Sequence, residues 1–276
     1  MTKSDAYFRE NREQHLNQLK EFLRIPSISA LSLCAERAEI METGGHPVVY
    51  AERLDQPGGP PALIYGHYDV QPVDPLELWV SPPFEPEIRE NKLYARGASD
   101  DKGQVFMHLK VIEAILQTEG TLPVNLKLLI EGEEEIGSRN LERFIGAHKE
   151  LLQADLVVIS DTGLYARGVP SLTYALRGLA AMEVHVQGAK GDLHSGMFGG
   201  AAPNAVTALV QLLSTLHRPE GGVAVQGFYD QVRPLSAEER ESFAALGFDE
   251  ERLARELNVQ ALPGEPGYSV LERLWA

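Results

Sequence analysis

Apolar residues recur along the chain with two spacings, one typical of helices and the other of strands. Near the N-terminus the helical spacing is formed by Leu16, Leu19, Phe22 and Leu23. This pattern predicts an amphipathic first helix that covers a core. The helix should end before Pro26, because a residue that precedes proline disfavours the helical conformation.

Three short apolar runs farther along the chain predict buried strands. They are ALIYG (62–66), NLKLLI (125–130) and DLVVIS (155–160). Between them, VFMHLKVIEAIL (105–116) places its apolar side chains on one helical face. Ser138 can cap a second helix, whose apolar residues are Leu141, Phe144, Ile145 and Leu152. The alternation of strands and helices favours an α/β sheet with helices on its faces.

The pattern changes near Arg177. LAAMEVHVQG (179–188) alternates as a half-buried strand does, and a glycine-rich loop then leads to a helix-like run at 204–217. From Arg218 onward, glycine, proline and charged residues suggest surface helices and loops. The sequence therefore predicts two domains, residues 1–177 and 178–276.

Charge and cysteine content narrow the classes of partner. The 40 acidic and 25 basic residues give a formal charge of −15, which argues against nucleic acid and anionic membranes as partners. Cys34 is the only cysteine, so neither an intramolecular disulfide nor a thiolate metal cluster can form. The polar N-terminus lacks a signal-peptide core and no apolar stretch is long enough to span a bilayer, so we expect a cytoplasmic protein.

Polar side chains follow each of the three apolar runs at the point where the predicted strand ends. His67 and Asp69 follow the first run, EGEEE (131–135) follows the second, and Asp161 follows the third. Ligands bind outside the carboxyl ends of strands in open α/β sheets, so these groups should share one cleft. His67 and Asp69 lie two apart and face the same way, which lets the aspartate orient the imidazole. By itself, such a pair is more typical of a surface turn.

Two adjacent aspartates, Asp100 and Asp101, precede a predicted helix that begins near Gly103. Capping of the helix N-terminus accounts for one of them. The presence of a second aspartate indicates a tight turn that presents one carboxylate to the cleft.

Four glutamates lie within the five residues that follow the second apolar run: Glu131, Glu133, Glu134 and Glu135. An acidic run is often only a solvated loop. In a cleft, however, two unit charges ~4 Å apart repel by roughly 4 kcal/mol at an effective dielectric constant of about 20, so several carboxylates require cations. One histidine and several carboxylates without cysteine suit zinc first, then manganese or cobalt. Two ions about 3.5–4 Å apart would share a bridging carboxylate, and a glutamate outside the metal shell would act as general base.

Five motifs occur in order between Ala62 and Gly200: GHYDVQP, RGASDDKG, EGEEEIGS, VVISD and GDLHSGMFGG. Together they resemble the ordered motifs of the aminoacylase and carnosinase superfamily of cocatalytic-zinc metallopeptidases. The resemblance implies a mixed sheet flanked by helices, with a second, smaller α+β lid and dimerisation domain. It also implies hydrolysis of dipeptides or short peptides at a site that holds two divalent ions, with zinc the first choice.

By this resemblance, the metal ligands are His67, Asp100, Glu135 and Asp161. Asp100 bridges the two ions, and Glu135 binds the second ion. Asp69 orients the imidazole of His67, and Glu134 is the general base. In this family an aspartate at the position of Asp161, rather than a glutamate, is associated with dipeptidase or aminopeptidase activity, which favours peptides over acylated amino acids.

His194 is similar to a lid-domain histidine of the family that reaches into the site of a neighbouring subunit. There it can polarise the scissile carbonyl or hold its oxyanion. The resemblance therefore implies a homodimer that forms through the lid domain.

The sequence departs from the family pattern at two places, and the later one leads us to expect a C-terminally truncated chain. Family members usually supply a further histidine ligand from a late segment, but this chain ends at Ala276, inside the predicted lid. The second departure lies between residues 29 and 41, where the family usually has a full helix and the start of a strand but this chain has only a short stretch with Cys34. Either a reduced first layer or an internal loss would explain it, and we expect an internal loss. Dipeptide hydrolysis is our first hypothesis, and hydrolysis of N-acyl amino acids or a related amide is the second. The third is a catalytically silent module for metal binding and dimerisation.

Overall fold

The computed structural model describes residues 2–24, 35–166, 168–169, 171–173, 176, 178–219 and 221–275. The chain divides into two compact units, Met1–Ser171 and Leu172–Ala276. Cys34 and the predicted boundary at Arg177 both lie outside the described residues. The assignment of the two units as catalytic and lid domains stays a prediction.

The first unit contains a five-stranded mixed sheet and a separate two-stranded hairpin. The strands are β1 (Arg37–Met41), β2 (Val48–Arg53), β3 (Pro61–His67), β4 (Glu87–Arg89), β5 (Lys92–Tyr94), β6 (Asn125–Glu131) and β7 (Leu156–Ile159). The sheet has the order β1-β2-β6-β3-β7, and β4 pairs with β5 in the hairpin. β2 is antiparallel to both of its neighbours, β1 and β6, whereas β3 is parallel to both β6 and β7. The predicted α/β fold with a mixed sheet is thus confirmed.

Helices cover both faces of this sheet. They are α1 (Lys3–Glu10), α2 (Arg12–Arg24), α3 (Lys102–Glu119), α4 (Leu141–Ala147) and α5 (Lys149–Leu152). α3 packs Val105, Leu109 and Ile112 against one face of β6, and α1 and α2 pack on α3. On the other face, Phe144 of α4 and Leu152 of α5 pack against β2, β3 and β6. The predicted first helix and the predicted helix at 105–116 are therefore confirmed.

Three local predictions in this unit are wrong. Ser138 does not cap the helix that follows it, because its hydroxyl donates to Glu131 Oε1 at 2.8 Å and Asn140 is the residue before α4. That helix is also interrupted at His148, which separates α4 from α5.

Finally, β7 is an exposed edge strand rather than a buried one, since β3 is its only partner strand within the described ranges.

The second unit contains five helices in its described part, namely α6 (Ser195–Phe198), α7 (Ala205–Ser214), α8 (Ala237–Ala245), α9 (Glu250–Glu256) and α10 (Val270–Trp275). The prediction of a strand at 179–188 is wrong, because these residues form no backbone hydrogen-bonded pairing with another segment that the structure describes. A strand needs a neighbour for its backbone hydrogen bonds, and the described residues of this unit contribute only one isolated bridge, between His217 and Val223. No helix in the part of the chain that the structure describes is long and apolar enough to cross a membrane.

The buried central strand gives a first testable prediction. Leu128 of β6 is 2% exposed, and we expect Leu128→Ala to lower the free energy of unfolding of the first unit by about 2–5 kcal/mol, because it leaves a cavity. The control is Ile40→Ala on edge strand β1, where the side chain is 72% exposed and the expected change is within about 0.5 kcal/mol. Urea unfolding measures both, and equal losses would contradict the assignment of the core.

Candidate metal centre

The parallel part of the sheet brings three polar segments to one edge. β3 ends at His67, β6 ends at Glu131, and Asp161 lies two residues beyond the end of β7. Because β3, β6 and β7 are parallel, the residues that follow them meet at the same edge. Asp100 and Asp101, immediately before α3, reach the same place and contact His67.

Three of the four predicted metal ligands lie together. Donor atoms of His67, Asp100 and Asp161 are all within 4.8 Å of one another. His67 Nε2 is 3.1 Å from Asp100 Oδ1 and 3.5 Å from Asp161 Oδ2. An imidazole nitrogen and two carboxylate oxygens are donors that zinc accepts in hydrolytic enzymes, so the group fits a divalent ion.

Asp69 connects the imidazole to the acidic turn after β6. Its carboxylate oxygen Oδ1 lies 3.3 Å from His67 Nδ1, and its backbone oxygen lies 3.0 Å from the same nitrogen. The carboxylate also accepts the backbone N–H groups of Glu134 and Glu135, at 3.2 and 2.9 Å. Burial raises the pKa of Asp69, but the hydrogen bonds from His67 and Glu135 outweigh burial and lower it overall. Asp69 therefore stays ionised and fixes both the ring and the turn.

The field around His67 is strongly negative. Burial lowers the pKa of its ring, but the hydrogen bond with Asp69 and the charges of Asp101, Asp69 and Asp161 raise that pKa to about 10. Burial also raises the pKa of Asp161, and repulsion from Asp100 raises it further. The protein thus holds more negative charge here than its own side chains neutralise.

Two of the four glutamates, Glu131 at the end of β6 and Glu133 in the turn after it, are bound by other side chains and backbone. Glu131 accepts hydrogen bonds from the hydroxyls of Tyr65 and Ser138. Glu133 accepts a hydrogen bond from the Asn140 amide at 2.8 Å and from the backbone N–H of His46 at 3.3 Å. These two carboxylates are thus bound by neutral donors, and neither belongs to the three-residue donor group.

The other two glutamates point in different directions. Glu134 Oε2 lies 3.8 Å from His67 Nε2, at the edge of the donor group. Burial raises the pKa of Glu134, and repulsion from Asp161 adds to the increase although the charge of His67 opposes it. Glu135 is held by Gln71, whose side-chain amide and backbone N–H donate to its carboxylate at 2.6 and 3.1 Å. It does not belong to the three-residue donor group, and its role as a ligand stays a prediction.

His194 belongs to the second unit and precedes the short helix α6. It is exposed, and its Nδ1 accepts the backbone N–H of Gly196 at 3.2 Å. Its predicted action on a substrate carbonyl in a neighbouring subunit stays a prediction.

Sequence reasoning missed two pairs that support the site. Asp101 occupies the residue before α3 but does not cap it, and instead accepts the backbone N–H of His67 at 3.1 Å. His108 Nε2 lies 2.7 Å from the hydroxyl of Ser160, the residue before Asp161. The adjacent aspartates were visible in the sequence, whereas the pairing of α3 with the end of β7 needed the fold.

A cleft of about 820 Å³ adjoins the donor group. Asp100 is part of its wall, and so are Trp79, Tyr94 and Arg96. The guanidinium of Arg96 lies 5.2 Å from the centre of the Trp79 ring, which keeps both side chains in place on this wall. The cleft provides space for a small molecule beside the donor atoms.

Comparisons with known proteins agree with this geometry. Residues 63–262 match the peptidase family M20/M25/M40. The chain is 36% identical over 231 residues to a Beta-Ala-His dipeptidase of Homo sapiens, a match that covers 83% of this chain and 46% of the relative. It is 38% identical over 210 residues to the Cys-Gly metallodipeptidase dug1 of Schizosaccharomyces pombe, covering 75% of this chain and 44% of the relative. The chain thus spans about half the length of these curated relatives.

Solved structures show the same fold. An M20 family metallo-carboxypeptidase, Sso-CP2 of Sulfolobus solfataricus, superposes with a TM-score of 0.74 at 36% identity, over 94% of this chain and 61% of that one. Human carnosine dipeptidase 1 gives a TM-score of 0.74 at 30% identity with the same coverage of both chains.

Proposed function

This chain belongs to peptidase family M20/M25/M40, and from that premise we propose that it hydrolyses the peptide bond of dipeptides or short peptides with the help of divalent metal. The family membership confirms the resemblance found in the sequence motifs. The observation that carries the proposal is the grouping of His67, Asp100 and Asp161 within 4.8 Å, with Glu134 Oε2 only 3.8 Å from His67 Nε2. Two relatives that bear dipeptidase names support peptides as the substrate class.

His67, Asp100 and Asp161 would hold one ion, with zinc the first candidate and manganese or cobalt the alternatives. We further propose a second ion, for which Asp100 would be the bridging ligand and Glu135 the additional one. A bound divalent ion supplies a Lewis acid and lowers the pKa of water. Asp69, through its contact with His67 Nδ1, keeps Nε2 directed at the donor group.

Glu134 is the general base of the proposed reaction. Its carboxylate is near the donor group, and its raised pKa, caused first by burial, brings its basicity closer to neutral pH. It accepts a proton from the water that attacks the peptide carbonyl and then donates that proton to the leaving amine. The cleft beside Asp100 takes part of the peptide, and His194 from a partner in a homodimer polarises the carbonyl. The homodimer, the role of His194 and a cytoplasmic location rest on the sequence alone.

The direct test is hydrolysis by the purified, zinc-loaded chain. We expect release of free amino acids from dipeptides such as β-Ala-His and Cys-Gly, and loss of this activity when a chelator removes the metal. Chromatography of the products measures the rate. Activity that persists in metal-free buffer would contradict the mechanism.

The same assay separates the alternatives. N-acetylated amino acids replace the dipeptides in a parallel reaction. Exclusive turnover of the acetylated compounds would favour the deacylase hypothesis. Zinc binding without turnover of either class would favour the catalytically silent module.

A further inference from the structure

The backbone of His67 lies just beyond the point where the pairing between β3 and β7 ends. β3 pairs with β6 up to His67 and Glu131, but it pairs with β7 only up to Tyr65 and Ile159. The next N–H along the chain, that of Tyr68, donates to the Glu131 carbonyl at 2.8 Å, on the β6 side. Because successive N–H groups of a strand point to opposite sides, the N–H of His67 faces the β7 side, beyond the last β7 pair.

Asp101 supplies the acceptor that β7 does not. Its Oδ2 accepts the His67 N–H at 3.1 Å. Asp101 is 2% exposed, and its other oxygen, Oδ1, makes no hydrogen bond within the described part of the chain. The side chain also leaves the N-terminus of α3 uncapped. The one hydrogen bond that it makes here is therefore to the backbone of His67.

Gly66 makes this contact possible. A Cβ atom at position 66 would lie 2.7 Å from Asp101 Oδ2 and 2.6 Å from a methyl carbon of Val105. Both distances are shorter than side chains tolerate. A larger residue at this position would therefore force the Asp101 carboxylate and the Val105 side chain to shift away from the end of β3.

We propose that Asp101 is a positioning residue that holds the His67 backbone where β3 and β7 separate. Because the strands separate there, the chain after β7 can place the Asp161 carboxylate 3.5 Å from His67 Nε2. The backbone N–H of His67 then has no acceptor on β7, and Asp101 accepts its hydrogen bond instead. In this way Asp101 sets the position of the imidazole relative to Asp100 and Asp161. The inference rests on the metal site of the proposed function but not on peptide hydrolysis.

Asp101→Leu and Asp101→Asn test the proposal together. Leucine removes the acceptor, whereas asparagine keeps an oxygen that can accept the His67 N–H and removes only the charge. For Asp101→Leu we expect zinc affinity to fall about 10–100-fold, as for other residues that orient a metal ligand. We also expect faster hydrogen exchange of the His67 amide in metal-free protein. Asp101→Asn should stay close to wild type in both measurements.

Asn125→Leu is the matched control. Asn125 begins β6 at the opposite end of the ladder, and its Oδ1 likewise accepts a backbone N–H, that of Gln56, at 2.9 Å. The control should lose stability and keep both zinc affinity and slow exchange at His67. Gly66→Ala is a second variant, which should weaken zinc binding as Asp101→Leu does.

Titration with zinc and hydrogen exchange read by mass spectrometry provide the measurements. Wild-type zinc affinity and wild-type exchange at His67 in Asp101→Leu or Gly66→Ala would overturn the proposal. If Asp101→Asn bound zinc as weakly as Asp101→Leu, the effect would be due to the lost charge, and the proposal would again be overturned. If Asn125→Leu weakened zinc binding equally, the effect of Asp101→Leu would be explained by a general loss of stability, and the proposal would be contradicted. Since no peptide is cleaved in these measurements, they do not depend on whether the chain is a peptidase.

Discussion

Replacement of Glu134 by glutamine is expected to lower kcat for dipeptide hydrolysis by about 10²–10⁴-fold and to leave zinc affinity close to that of the wild type. The amide of glutamine cannot accept the proton of the attacking water. Glu134 is not one of the three donors that lie within 4.8 Å of one another, so its replacement should preserve the metal site. Its carboxylate nevertheless lies 3.8 Å from His67 Nε2, which places it at the edge of the donor group. Steady-state kinetics and zinc titration on the same protein preparations measure the two quantities.

The neighbouring glutamate provides a matched control. Glu133→Gln makes the same chemical change one residue earlier, but the Glu133 carboxylate is held by Asn140 and by the backbone of His46. We expect this variant to retain wild-type kcat. A Glu134→Gln enzyme with wild-type kcat would remove Glu134 from the mechanism. An equal loss in Glu133→Gln would show that disturbance of the turn, rather than loss of the base, lowers the rate.

The sequence was sufficient to predict the edge of the sheet at which the donors meet. The runs at 62–66 and 125–130 are apolar enough to be buried on both faces, and such runs are typical of strands inside an α/β sheet. The structure pairs these runs in parallel as neighbouring strands. Parallel neighbours end together, so the placement of His67 near the acidic turn follows from the pattern of the chain.

The direction of each carboxylate in the acidic turn was not predictable in the same way. Four glutamates in five residues have nearly the same local sequence environment, but Tyr65 and Ser138 bind Glu131. Asn140 and the backbone of His46 bind Glu133. These donors come from other elements, including a loop more than eighty residues away in the sequence for His46. Periodicity along one segment contains no information about them.

Strand predictions failed where pairing, rather than pattern, decides the outcome. The alternating run at 179–188 has the polarity of a strand, yet a strand also needs a neighbour on at least one side. In β7 the pattern predicted the strand but not its exposure, because burial depends on what covers the strand from outside. The exposure of β7 follows from its position at the edge of the sheet. Its pairing with β3 ends at Ile159, where the chain leaves the sheet. That departure is also what allows Asp161 to approach His67.

Zinc is expected to raise the thermal stability of the first unit, and His67→Ala should abolish the increase. At a zinc concentration about 100-fold above Kd, a site present only in the folded state stabilises it by about 2.7 kcal/mol, which for a unit of this size raises Tm by about 5–10 °C. His67 is fully buried and its Nε2 contacts both Asp100 and Asp161, so its removal takes away the central donor. Differential scanning calorimetry with and without zinc measures the shift.

The control for this prediction is His148→Ala. The His148 ring stacks on Phe144, 4.3 Å between ring centres, and its Nδ1 lies 2.9 Å from the Phe144 carbonyl, so it takes no part in the donor group. This variant should begin from a lower Tm and show the full zinc-dependent rise. Because both variants lose one imidazole, non-specific binding of zinc to histidines would reduce the rise equally in the two. An undiminished rise in His67→Ala would mean that the ion binds elsewhere, and the grouping of His67, Asp100 and Asp161 would then not be the metal centre.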